Sequence, residues 1–165
     1  MIPAAKVILQ SDHADLDSLL TDVQRSLAGY DLYNAHATLD LFWARLAVHI
    51  RAEHLRVFPA LLRAKSDAEI DEIIKMLRKD HDFFMTELGR LVRLFRVAPD
   101  TDAVEVMTSA RPKLAIIISR LKEHNKLEES RIYPLISELG ETQSEHLVSG
   151  IKKELNNLPA RFKVR

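Results

Sequence analysis

The sequence predicts an all-α protein, an antiparallel up-down-up-down four-helix bundle with a short extra helix at its C-terminal end. Apolar residues recur at spacings of three and four in almost every segment, and no segment alternates apolar and polar residues as a strand does. Helix breakers divide the chain into four long segments joined by short links. At 165 residues, 47% of them hydrophobic, the chain fits one globular domain spanning residues 1–165.

Each helix has its own start and stop signals. Gly29 ends the first helix, Asp67 caps the third, the turn Pro99–Asp102 precedes the fourth, and Gly140 separates the fourth from the last. Pro112 is expected to bend or restart the fourth helix. The predicted helices therefore run from about Pro3 to Ala28, Leu32 to Ala64, Ala68 to Val97, the Pro99–Asp102 turn to Leu139, and Glu141 to Asn157.

Composition narrows the function classes. Lys+Arg and Asp+Glu both total 24, so the chain lacks the basic excess typical of nucleic-acid binding, and no nucleic-acid partner is expected. No apolar run is long enough for a membrane span, and the N-terminus has no signal-peptide pattern, which favours a cytoplasmic location. The sequence has no cysteine. A bound metal must therefore be held by imidazoles and carboxylates.

Six ionisable residues interrupt the apolar stripes that should face the bundle core. The stripes are Leu9, His13, Leu16, Leu20, Val23 and Leu27; Leu39, Phe42, Leu46, His49 and Glu53; Ile70, Ile74, Leu77, His81, Phe84, Leu88, Leu91 and Phe95; and Leu114, Ile117, Leu121, His124 and Glu128. Burying such groups without partners costs several kcal/mol each, so they need a common partner. We predict a two-metal centre with the ligands His13, His49, Glu53, His81, His124 and Glu128.

The spacing within this set suits a dinuclear site. His and Glu four residues apart lie on one helix face, about 6 Å apart along the axis. The longer glutamate can bridge two metals while the histidine caps one, leaving positions for an oxo or hydroxo bridge and a small exogenous ligand. Imidazole and carboxylate suit iron, manganese or zinc. The competing interpretation is a structural bundle whose inner His and Glu form a hydrogen-bonded network.

An internal repeat organises these residues. The segment from His49 through Glu53 to Phe58-Pro59 aligns with the segment from His124 through Glu128 to Tyr133-Pro134. Each segment follows a helix that carries Asp-His, at Asp12-His13 and at Asp80-His81. A duplicated helix pair predicts a bundle with pseudo-twofold symmetry and two matched half-sites.

These motifs, from about Asp12 to Leu139, resemble the hemerythrin-like, or HHE cation-binding, family. The resemblance implies an antiparallel four-helix bundle around a non-haem di-iron site, with Glu53 and Glu128 as bridging carboxylates. Oxygen-carrying hemerythrins have an extra histidine one turn from the third-helix histidine, whereas Leu77 and Met85 flank His81 here. The pattern is more similar to bacterial di-iron proteins linked to iron–sulfur cluster repair under nitrosative or oxidative stress.

The resulting hypothesis is a di-iron protein, cytoplasmic and without a membrane or nucleic-acid partner, that binds or reacts with oxygen, nitric oxide or peroxide. The alternative is a metal-storage or sensing module without turnover. Ferritin-like bundles are disfavoured because no glutamate precedes a histidine by three residues. Among the remaining residues, His54 is expected to support the site or lie at the surface, Glu129 to pair with a basic neighbour, and His36 and His146 to be exposed.

Overall fold

The computed structural model describes residues 4–65 and 67–163, and within them all regular structure is helical. The prediction of an all-α fold is therefore confirmed. The predicted start at Pro3 and the linker residue Ser66 lie outside the described residues. The helices are α1 Ala5–Ala28, α2 Leu32–Ala52, α3 Phe58–Ala64, α4 Ala68–Val97, α5 Ala103–Leu127, α6 Tyr133–Ile136 and α7 Glu141–Leu155, with short 3-10 turns at Asp100–Asp102 and Ala160–Phe162.

Short capped links connect the helices. The Gly29 N–H donates to the Arg25 carbonyl at the end of α1, and Tyr30 adopts a positive φ of 54° in the link that follows. Asp67 begins α4 as predicted, because its carboxylate accepts hydrogen bonds from the N–H groups of Glu69 and Ile70. Such tight connections set consecutive long helices antiparallel.

Two segments predicted as plain α-helix contain a π-helical turn instead. Glu53–Val57 joins α2 to α3, and Glu128–Ile132 joins α5 to α6. In each turn a backbone N–H donates five residues back, from Phe58 to Glu53 and from Tyr133 to Glu128. A proline follows each donor and has no N–H to continue the α-helical ladder, so the wider turn absorbs the mismatch. By contrast, α5 runs through Pro112 without interruption.

Four helical columns close into a ring in which α1 packs on α2, α2 on α4, α4 on α5, and α5 on α1. The shorter α7 packs outside this ring, against α2 and the first π-helical turn. All the residues of the four predicted core stripes are buried. No helix among residues 4–65 and 67–163 is long and apolar enough to cross a membrane.

The core consists of two apolar clusters with a polar layer between them. The larger cluster includes Leu16, Leu46, Phe84 and Leu121, and the smaller includes Leu9, Val57, Leu77 and Ile132. His13 stands between Leu9 and Leu16 on α1, and His81 between Leu77 and Phe84 on α4. The ionisable residues are therefore enclosed above and below by apolar side chains, and water is kept away from them.

Candidate metal centre

All six predicted ligands meet in this polar layer. Each is at most 4% exposed, and the two glutamates are at most 1% exposed. They come from all four columns of the bundle: α1 carries His13, α2 and its π-helical turn carry His49 and Glu53, α4 carries His81, and α5 and its π-helical turn carry His124 and Glu128. We call His13 and His49 the first half-site, and His81 and His124 the second half-site.

In the first half-site the two imidazoles converge through their Nε2 atoms, which lie 3.1 Å apart. Glu53 Oε1 lies 3.3 Å from His49 Nε2, and Glu128 Oε2 lies 3.9 Å from His13 Nε2. One ligand atom from each of these four residues falls within 4.8 Å of the others. Two nitrogens and two carboxylate oxygens thus face a common point.

The second half-site repeats this arrangement. The Nε2 atoms of His81 and His124 lie 3.0 Å apart. Glu53 Oε2 lies 3.2 Å from His81 Nε2, and Glu128 Oε1 contacts His124 and lies 3.7 Å from His81 Nε2. Each glutamate therefore directs one oxygen to each half-site, which is the arrangement that a bridging carboxylate requires.

The outer nitrogen of each imidazole is held by a hydrogen bond. Nδ1 of His49 bonds to Asp12 at 2.7 Å, and Nδ1 of His124 bonds to Asp80 at 3.1 Å. Nδ1 of His13 bonds to Glu129 at 2.8 Å, and Nδ1 of His81 bonds to His54 at 2.7 Å. With the proton on Nδ1, each ring presents the lone pair of Nε2 to the core, as metal-ligating histidines do.

Two arginines hold the aspartates in turn. Arg45 donates to Asp12 at 2.9 Å, and Arg120 donates to Asp80 at 2.7 Å. Burial acts to raise the pKa of both carboxyls, but the bonded histidine and arginine outweigh it and lower each pKa below its usual value. Both aspartates are therefore ionised acceptors that fix the ring orientation.

Tyr133 lies within the cluster, fully buried. Its hydroxyl lies 2.7 Å from Glu53 Oε1 and 2.8 Å from Glu128 Oε2. The hydroxyl has one proton, so it donates to one carboxylate at a time. Burial and the two carboxylates raise the pKa of Tyr133 well above its usual value, which keeps the phenol protonated.

The protein groups alone favour protonated imidazoles. Burial opposes the charge on His81, but Glu128 and Glu53 outweigh burial and raise its pKa to about 9. Burial likewise opposes the charge on His49, but Glu53 and Asp12 outweigh it and raise the pKa of His49 well above its usual value. Burial also acts to raise the pKa of Glu53, yet neighbouring His49 holds it well below the usual range. A metal ion entering here replaces protons as the counter-charge of the carboxylates.

Two carboxylate oxygens show that the donor set fits metal ions. Glu53 Oε2 and Glu128 Oε1 are buried and have no hydrogen-bond partner within the described part of the chain. An unpaired buried carboxylate oxygen is costly, and no apolar wall can satisfy it. Both oxygens face His81 and His124, so a cation in the second half-site would satisfy them together with the two Nε2 atoms, whereas the carboxylate oxygens on the side of the first half-site are bonded to Tyr133.

The sequence also predicts the surroundings of three histidines and one glutamate outside the ligand set. His54 supports the site through His81, and His146 is exposed, both as predicted. Glu129 pairs with His13 as its basic neighbour, which places it next to the centre. The prediction for His36 is wrong, because the residue is half-buried and its Nε2 is enclosed without a hydrogen-bond partner in the described residues.

Sequence reasoning missed the roles of Tyr133, Asp12 and Asp80. The available signal was the repeat itself, since both aspartates directly precede a single histidine. The two positions one turn from His81 are apolar residues that pack in the core. Leu77 is buried in the smaller apolar cluster, and Met85 packs on the larger.

Comparison with known proteins gives one family match. The model of the hemerythrin HHE cation-binding domain matches residues 6–136. Searches of curated proteins and of solved structures found no significant match. The matched range contains every residue of the cluster, from Asp12 to Tyr133. The buried His and Glu cluster and the family match together show a metal-binding domain, and the chain belongs to the hemerythrin HHE cation-binding family.

Proposed function

We propose that this chain is a non-haem di-iron protein that binds or reacts with a small ligand such as oxygen, nitric oxide or peroxide. The observation that carries the proposal is the pair of buried glutamates, each with one oxygen facing each half-site. Such a pair suits two ions rather than one. The nitrogen and oxygen donors suit iron, zinc and manganese alike, so they do not choose among the three metals. We propose iron because of the family resemblance.

The side chains divide the work of such a centre. His13, His49, His81 and His124 would hold the two irons, and Glu53 and Glu128 would bridge them. Iron held in this way supplies an open coordination position and one-electron chemistry for a small molecule. The apolar clusters on both sides of the layer keep bulk water out of the site.

The ligand set favours a reactive centre over an oxygen carrier. Leu77 and Met85 offer no fifth imidazole beside His81, so the two half-sites have two histidines each. This pattern resembles the di-iron proteins of iron–sulfur cluster repair and stress response. We therefore place the physiological role in the oxidative or nitrosative stress response.

Metal analysis tests the dinuclear part of the proposal. Protein purified under low oxygen and reloaded with ferrous iron should hold two irons per chain. His124→Ala should lower the iron content, because it removes one of the two imidazoles of the second half-site. The control His146→Ala changes an exposed histidine and should keep both irons. One iron per chain, or none, would overturn the proposal.

A spectroscopic titration tests the reactive part. Oxygen, nitric oxide and peroxide are added in turn to the reduced iron protein, and the visible and near-ultraviolet spectrum is followed. A stoichiometric change with one of the three ligands supports a reactive centre. If two irons are bound and no ligand changes the spectrum, a storage or sensing module replaces the reactive centre.

A further inference from the structure

Two of the four imidazoles, those of His49 and His124, have equivalent hydrogen-bond partners on their outer sides. Arg45, Asp12 and His49 form a chain that Arg120, Asp80 and His124 reproduce. Each arginine stands four residues before its histidine. The α2 and α5 imidazoles, one in each half-site, therefore have the same partners, a carboxylate backed by a guanidinium.

The other two imidazoles, those of His13 and His81, have different partners on their outer sides. Glu129 directly follows Glu128 and bonds to His13, in the first half-site. His54 directly follows Glu53, at the equivalent place in the repeat, and bonds to His81, in the second half-site. The first half-site thus has carboxylates behind both imidazoles, whereas the second has one carboxylate and one imidazole.

The geometry makes His54 a neutral acceptor. His81 needs Nε2 free for the centre, so its proton is on Nδ1 and is donated to His54 Nε2. A doubly protonated His54 would have no lone pair there to accept it. The His54 ring is also held in place, since it packs 4.9 Å from the His81 ring and 5.6 Å from the Phe58 ring.

A carboxylate behind a ligating imidazole increases the basicity of the imidazole, and losing it typically weakens metal binding roughly tenfold to hundredfold. We propose that His54 is a positioning residue that makes the second half-site the weaker metal position of the two. The proposal rests on the proposed dinuclear function. It divides the centre into a tightly held ion at His13 and His49 and a more labile ion at His81 and His124.

Tyr133 is a second difference between the repeats, since Phe58 occupies the equivalent place. Its hydroxyl lies 2.7 Å from Glu53 Oε1 and 2.8 Å from Glu128 Oε2, and 3.2 and 3.4 Å from the Nε2 atoms of His13 and His49, so it faces the first half-site. The outer partner of an imidazole differs only between Glu129 and His54. Tyr133 is kept in every variant of the test below, so a change on substituting His54 or Glu129 reports the outer partner alone.

Cobalt binding tests the proposal, because Co²⁺ absorbs in the visible range and does not need oxygen-free redox control. The metal-free protein is titrated with Co²⁺ and competing chelator. The wild type should bind two ions in steps separated roughly tenfold to hundredfold in affinity. His54→Glu should tighten the weaker step and bring the steps together. Glu129→His should instead weaken the tighter step, so that both become weak.

His54→Gln is the conservative control, since its amide oxygen is a neutral acceptor. It should keep the wild-type separation. Loss of both steps in His54→Glu, with the helical content of the wild type, would assign His54 a structural role and overturn the proposal. Two binding steps of equal affinity in the wild type would also overturn the proposal. A tightening of the tighter step in His54→Glu would do the same. Failure of the wild type to bind two ions would instead overturn the proposed function.

Discussion

Each imidazole of the cluster is held from its outer side by a bond to Nδ1, so that Nε2 points into the centre. The outer partners come from other helices, as with Asp12 of α1 behind His49 of α2 and Asp80 of α4 behind His124 of α5. Rotating His49 or His124 away from the centre would therefore break a hydrogen bond to an ionised carboxylate. The residues are organised for the centre before any ion arrives, which limits the ordering that binding must impose.

Tyr133→Phe tests how the shared carboxylates are satisfied. In protein stripped of metal, the change removes a buried donor to Glu53 and should lower the free energy of unfolding by about 2 kcal/mol. With zinc bound, the metal satisfies the carboxylates and the loss should be smaller. Urea unfolding of both forms measures the difference.

The control for this prediction is Tyr33→Phe, because the Tyr33 side chain is 81% exposed. It should leave the free energy of unfolding unchanged in both forms. An equal loss in the zinc-bound and zinc-free forms of Tyr133→Phe would contradict the prediction, since it would show that the carboxylates need the hydroxyl regardless of metal.

At this scale the sequence predicts which inward-facing His and Glu side chains the structure brings together, but it predicts their outer partners poorly. His13, Glu53 and His81 are recognisable because an ionisable residue at a core spacing needs a partner. The bond from Glu129 to His13 joins residues 116 positions apart. Whether it forms depends on the rotation and register of α1 against α5, which apolar periodicity sets only to within part of a turn. Spacing alone therefore cannot identify such partners.

At the scale of the helices, the two π-helical turns begin at the two glutamates. Glu53 and Glu128 each open a turn that ends just before an aromatic-proline pair. The extra residue in each turn shifts the following helix relative to the preceding one. With this extra residue, His49 of α2 and Glu53 of the turn both lie in the polar layer, and Phe58, just beyond the turn, is still buried in the apolar core. Such turns are frequent at functional sites.

The helix boundaries follow from the sequence, but the π-helical turns do not. Gly29 and Asp67 act locally, so their effect is visible in a few residues. A π-helical turn has nearly the same apolar pattern as an α-helix over five residues. The signal that distinguishes it is the repeated spacing of glutamate, aromatic residue and proline, which indicates a break in the ladder without specifying its form.

The close packing of α4 on α2 predicts that a larger residue at Gly89 lowers the stability of the protein. A β-carbon at Gly89 would lie 2.9 Å from the Trp43 ring, whose N–H is bonded to the Met85 carbonyl. Gly89→Ala should therefore cost roughly 1–3 kcal/mol in overpacking, against a helix-propensity gain of roughly 0.5–1 kcal/mol. We expect a net loss of about 1 kcal/mol, measured by urea unfolding.

Gly140→Ala is a control for the added β-carbon, because that atom meets nothing within 4 Å, although Gly140 caps α7 rather than lying inside a helix. Its effect should be limited to the N-cap preference for glycine over alanine, up to about 1 kcal/mol, with no overpacking cost. If Gly89→Ala stabilised the protein by the full helix-propensity gain, the indole would have room to move, and the close packing of α4 on α2 would not contribute to stability.

Over the whole molecule, two apolar clusters enclose one charged layer, and this layering links folding to metal binding. All four columns contribute His or Glu side chains to the layer, so an ion bound there would hold the four columns together. The unfolded chain has no such arrangement, and binding free energy therefore adds to folding stability. The four apolar stripes predict this organisation from sequence, because the polar positions interrupt every stripe at one level.

The same layer predicts opposite pH dependences of stability with and without metal. In protein stripped of metal, folded His81 has a pKa of about 9, because Glu128 and Glu53 outweigh its burial. The unfolded value is about 6.5. The folded state thus retains a proton that the unfolded state releases, so the stabilisation is complete below about pH 6.5 and is lost as pH rises through 9, with a slope of up to about 1.4 kcal/mol per pH unit.

With zinc on the Nε2 atoms, the folded imidazoles bind no proton there, and the unfolded chain binds more protons below about pH 6.5. Stability should therefore rise with pH up to that point and should not fall as pH continues towards 9. Urea midpoints between pH 5.5 and 9.5 (about the range that spans both pKa values) measure both curves. His81→Gln should flatten the fall in the zinc-free curve. A zinc-free curve that rises across this range would contradict the prediction, because it would require folded imidazoles that lose their protons before the unfolded ones.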